Sequence, residues 1–96
     1  MEGATIRMKA VLMHGERGGE GTYRFDLPAE VAAETPVRIM RAFMEHAETR
    51  AALGHIDYEI NAALKNREHD ITTVIGEFVF APDNRQPFAC FISPEG

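Results

Sequence analysis

The sequence predicts an α+β domain: a five-stranded, mostly antiparallel sheet in the order β-β-α-β-β-β, with one amphipathic helix on one face. Three observations carry this expectation. Two runs of alternating hydropathy flank a glycine-rich stretch, one run repeats its apolar residues at three- and four-residue spacing, and three further alternating runs are separated by turn residues.

The first run is Thr5 to Met13, with Ile6, Met8, Ala10 and Leu12 on one side and Arg7, Lys9, Val11 and Met13 on the other. The stretch from His14 to Gly21 reads as a hairpin loop, because it holds four glycines in eight residues. Thr22 to Leu27 alternates again and places Tyr23, Phe25 and Leu27 together. Pairing Leu12 with Tyr23 sets Ala10 opposite Phe25, Met8 opposite Leu27 and Lys9 opposite Asp26. Pro28 ends this strand, since it has no N–H for a ladder, and Ala29 to Glu34 is a connector with room for a helical turn.

Thr35-Pro36 is a helix start, a hydroxyl at the cap followed by proline at the first helical position. The helix face is then Val37, Met40, Phe43, Met44, Ala47 and Ala51, with Arg38, Arg41, Glu45 and Glu48 opposite. Gly54 supplies a left-handed closing residue.

The remaining strands form a meander from His55 to Ser93. Ile56, Tyr58, Ile60, Ala62 and Leu64 alternate with polar residues, and Asn66 to Asp70 is a turn. Thr72, Val74, Gly76, Phe78 and Phe80 make the matching face of the next strand, with Ile60 opposite Gly76 and Tyr58 opposite Phe78. A second turn, Pro82 to Pro87, leads to Phe88, Cys90 and Ile92. Aligning Phe80 with Phe88 sets Phe78 against Cys90 and Gly76 against Ile92. Residues 1–96 read as one domain, and the element order also fits a β-grasp-like arrangement with the first strand beside the last.

Composition narrows the classes of function. Apolar residues are 45% and charged residues 26%, the balance of a folded globular chain. A net charge of −5 argues against nucleic acid as a partner, because phosphate neutralisation supplies most of such affinity. No apolar run is long enough to span a bilayer. The apolar stretch after Arg7 and Lys9, Ala10 to Met13, is too short for a secretory leader. One cysteine, Cys90, excludes an internal disulfide and fits the cytoplasm.

The chemical motifs read as structural. The glycine-rich loop is followed by a strand, and Glu16 and Glu20 repel anions, so it is no phosphate cradle. His14, His46, His55, His69 and Cys90 show no metal-ligand spacing. Cys90 falls on the core face, where a thiol behaves as a small hydrophobe. The turn carboxylates, with Asp57 and Glu59, read as solvated charge, and Arg7, Lys9 and Arg24 as a stripe partly neutralised by Asp26. No cofactor, metal or catalytic residue is therefore assigned, and the chain is read as non-enzymatic.

One cluster does not fit a solvated surface. Ile75, Val79, Ala89 and Phe91 lie on the outer side of the last two strands, with Ala63 as a possible extension. One helix, about 10 Å across with its side chains, cannot cover five strands spaced about 4.8 Å apart. The expectation is a small protein-interaction module that self-associates, most simply as a homodimer. The alternative is a small-molecule-binding protein or small enzyme with a pocket between helix and sheet or at a dimer seam. Its polar groups are to be sought among Tyr58, His46, His55, His14, Glu16 and Arg17.

Overall fold

A computed structural model describes residues 4–15, 19–49 and 56–95; of Thr49 only the backbone is considered. The elements are β1 (Thr5–His14), β2 (Gly19–Pro28), α1 (Ala29–Ala32), α2 (Pro36–Thr49), β3 (Asp57–Asn66), β4 (Ile71–Ala81) and β5 (Asn84–Pro94). The five strands form one sheet in the order β2-β1-β5-β4-β3, and every neighbouring pair is antiparallel. The first strand does lie beside the last, running antiparallel to it.

Both helices sit on one face, here called inner. Met8, Ala10 and Leu12 of β1, Phe25 and Leu27 of β2, Val74 and Phe78 of β4, and Phe88, Cys90 and Ile92 of β5 are buried there. Ile39, Met40, Phe43, Met44 and Ala47 of α2 close the core from above. Val37 departs from the expected helix face: it is 44% exposed, and Ile39 takes the buried position instead. The buried residues 39, 40, 43, 44 and 47 still follow the three- and four-residue spacing, rotated by part of a turn. The helix begins where the Thr35 carbonyl accepts from the Ile39 amide at 3.1 Å. Ala51 and Gly54, expected to extend and close it, lie outside the described residues. The connector holds the four-residue α1, anchored by the Ala29 amide donating to the Ala4 carbonyl at 2.9 Å.

Face assignments largely hold, while registers differ. Leu12 pairs with Gly21, Ala10 with Tyr23 and Met8 with Phe25, two residues from the expected alignment. A shift of two keeps every side chain on its face. It does change the cross-strand charges: Lys9 faces Arg24, and Arg7 faces Asp26 at 3.2 Å.

The β4–β5 turn is tighter than expected. Ala81 pairs with Asn84, so the chain reverses over Pro82 and Asp83, and the polar Asn84, Arg85 and Gln86 belong to the strand. Gly76 therefore meets Phe88, Val74 meets Cys90 and Phe78 meets Gln86. A register irregularity between Val79 and Ala81 leaves Phe80 half exposed. Pro87 sits inside a central strand, and the hydrogen bonding explains how. Its carbonyl accepts from the Gly15 amide at 2.9 Å, so its missing N–H points the same way, beyond the last β1 pair at His14.

A β-bulge in β3 has the largest consequence. Tyr58–Phe78 and Ile60–Gly76 pair as expected, but the register slips between Ile60 and Ala62. One extra residue inverts the faces of the rest of the strand. Ala62 and Leu64, expected in the core, turn outward, and Leu64 is 69% exposed. Lys65 turns inward instead and donates from Nζ to the Ala32 carbonyl at 2.7 Å, tying β3 to α1. The following turn is held by Asn66, whose Oδ1 accepts from the amides of Glu68 and His69 at 3.0 and 3.2 Å. It ends on Asp70 with φ 56°, a conformation aspartate adopts more readily than most residues.

Candidate functional site

The site is the sheet face that points away from both helices. Antiparallel pairing aligns side chains in rows across the strands, and two of those rows are almost wholly apolar. The first runs Met13–Ala89–Ile75–Ala62 across β1, β5, β4 and β3, each step a direct pair. The second runs Val11–Phe91–Thr73–Leu64 over the same strands. Met13, Ile75 and Phe91 are 41%, 48% and 37% exposed.

Charged residues border this band at opposite corners. Toward the start of β3 the next rows hold Glu59–Glu77–Pro87 and Asp57–Val79–Arg85. Arg85 donates to both oxygens of Glu59, at 2.7 and 3.2 Å, and lies 3.6 Å from Glu77. The guanidinium, by hydrogen bonding and then by charge, holds the Glu59 carboxyl below its ordinary value. At the β1–β2 corner stand Arg7, Lys9 and Arg24, with Arg7 paired to Asp26 and Arg24 to Glu95. The first corner has three carboxylates around one cation; the second has three cations and two carboxylates.

Of the four residues singled out from sequence, Ile75, Ala89 and Phe91 come together in the two apolar rows. Val79 is set apart, between Arg85 and Asp57 in the charged border. Ala63 does not extend the patch: the bulge pairs it with Val74 on the inner face, and Ala62 and Leu64 take its place. Sequence reasoning also missed Val11 and Met13 as members. Their apolar character on the outer side of β1 was visible, but their membership depends on β1 lying against β5.

The other candidates are dispersed. His14 and Tyr58 lie on the inner face, His46 stacks on Phe25 with ring centroids 5.5 Å apart, and His69 is exposed in the β3–β4 turn. Glu16, Arg17 and His55 lie outside the described residues. Among the described residues, no three His, Cys, Asp or Glu side chains converge to hold a metal ion. No helix among them is long and apolar enough to cross a membrane.

No family model, curated protein or solved structure matches the chain. The reading of function therefore rests on the geometry of the face itself.

Cys90 lies under that face, with its side chain in the core. It is fully buried, and burial pushes its thiol up to about 12. A thiol in this state carries almost no thiolate at neutral pH, which removes its nucleophilicity. A thiol-specific disulfide reagent at pH 8 is expected to leave the native protein unlabelled and to label one cysteine in denaturant. Rapid native labelling would show that β5 is not packed as described.

Proposed function

We propose that the protein is an interaction module that pairs with a second copy of itself through the outer face of its sheet. The observation that carries this reading is the pair of apolar rows, four strands wide, with no described element over them. A contiguous apolar band rimmed by charge is the pattern of a contact surface.

The size of the face suits a dimer. Strands of ten residues at about 3.3 Å rise, five of them at about 4.8 Å spacing, span about 800 Å². That is about the area each partner contributes to a standard stable interface.

Charge fits a second copy as well. The acidic and basic corners lie at opposite ends of one diagonal of the sheet. A two-fold axis in the plane between two facing sheets, perpendicular to that diagonal, lays Asp57, Glu59 and Glu77 of one copy over Arg7, Lys9 and Arg24 of the other. It keeps apolar band on apolar band. For a sheet of these proportions the strands then cross at about 70°, nearer the orthogonal than the aligned way in which sheets pack. The interface is isologous, as closed dimers require. A free thiol held in the core fits a reducing compartment, and the cytoplasm is the setting this reading takes.

Phe91 is the residue to test, being aromatic, central and partly exposed. Phe91→Glu is expected to weaken self-association by about thirtyfold or more, the effect of losing a central aromatic anchor. At a concentration where both proteins are monomeric, the melting profile by circular dichroism should change little, since the side chain does not enter the core. A Phe91→Glu variant as dimeric as the wild type would remove the outer face from the reading.

A further inference from the structure

The inner layer contains a second feature, independent of the outer face. At the end of the sheet where β1 finishes, a partly enclosed cavity of about 140 Å³ lies between α2 and the strands. Leu12, Phe43, Met44 and Phe78 line it from the core, and the half-exposed Phe80 also lines it. Larger hollows exist beside Arg24 and His46 and beside Pro36 and Leu64, but they are wide open to solvent and lined by charged groups.

The hollow follows from the sequence at the start of β2. Inner-face positions there alternate Gly19, Gly21, Tyr23, so two successive positions contribute no side chain. The rings of their neighbours occupy that space. A Cβ on Gly21 would come 2.9 Å from the Tyr23 hydroxyl, and one on Gly19 would come 3.3 Å from the His14 ring. Tyr23 and His14 therefore lie toward the glycines, and the volume above them is left unfilled.

We infer that this cavity binds a single-ring aromatic molecule carrying one hydrogen-bonding group, of the phenol class. The volume sets the size, since an apolar protein cavity of about 150 Å³ stays dry and takes up benzene. The wall sets the chemistry: Tyr23, Phe43, Phe78 and Phe80 offer ring faces and edges, which favour another aromatic. Among the described lining residues, His14 and Tyr23 are the only hydrogen-bonding side chains, and neither hydrogen-bonds another described residue. A phenol O–H can donate to the imidazole, and its oxygen can accept from the Tyr23 hydroxyl. Among the described lining residues, a larger or doubly charged ligand finds neither the room nor the partners.

The test is a titration of the full chain with phenol, followed by amide and side-chain NMR. Phenol should shift resonances of Leu12, Tyr23, Phe43 and Phe78 with a dissociation constant in about the millimolar range, well within what a ligand of so few atoms can reach. Benzene should bind the same residues more weakly. Ala47→Leu, which fills the cavity from α2, should weaken phenol binding roughly tenfold or more while retaining the native spectrum. Phe80→Ala, at a half-exposed position, should weaken it several-fold. Absence of shifts at the lining residues would overturn the inference. So would shifts confined to Ile75 and Phe91, or undiminished binding in both variants.

Discussion

Gly76→Ala is expected to cost at least about 3 kcal/mol, the upper range for forcing a methyl into a packed site. A Cβ on Gly76 would stand 2.0 Å from the Glu59 carbonyl oxygen and 3.0 Å from its carbon. Neither can rotate away, because both are backbone of the adjacent strand. Relief therefore requires β3 and β4 to separate at the Ile60–Gly76 pair, beside the bulge. The close approach and the bulge belong together: the extra residue in β3 bends that strand toward β4 at the one position without a side chain. In a domain of this size the melting temperature should fall by more than about 12 °C. A fall of less than about 4 °C would mean that the strands do not approach so closely.

Phe43→Ala is expected to be comparably damaging, at about 3–5 kcal/mol. Phe43 is fully buried on α2, and its ring sits 5.7 Å from that of Tyr23 and 5.6 Å from that of Phe25. Together with His46, which stacks on Phe25, it holds the long helix to β2, so its loss removes aromatic packing and leaves a void under the helix. Total stability of small domains is about 5–15 kcal/mol, so the variant should sit near the edge of folding. Urea unfolding monitored by far-ultraviolet circular dichroism measures this. A midpoint unchanged from wild type would place Phe43 outside the core.

These two residues also mark what could be read from the sequence and what could not. Phe43 was legible because helical spacing repeats along the chain itself. Gly76 was legible as a small residue opposite Ile60, but the carbonyl pressed against it depends on a bulge with no signal in Ile60-Asn61-Ala62. The same bulge explains why Leu64 was expected inside and lies outside. Face assignments survived elsewhere because the register errors were even: two residues between β1 and β2, four between β4 and β5. Side-chain period fixes parity locally, whereas register depends on turns and on partners distant in sequence. The tight turn at Pro82-Asp83 illustrates the difficulty. Asn84, Arg85 and Gln86 look like loop by composition, yet they belong to the strand, where Arg85 pairs with Glu59 and Glu77 across the sheet.

The candidate face was legible in part for the same reason. Ile75, Ala89 and Phe91 stood out as apolar residues on the side of their strands away from the core. Val11, Met13 and Leu64 joined them only through strand order and the bulge. Val79 left them because the β4–β5 register placed it among charges.

The central claim is that this face joins two copies of the chain. Sedimentation equilibrium of the wild-type protein tests it most directly, over a dilution series from about 100 µM to about 1 µM, which spans the weaker affinities of a face this size. A mass twice the chain's 10.7 kDa at the concentrated end, falling on dilution if at all, is the predicted result. A mass of 10.7 kDa at every concentration would contradict it.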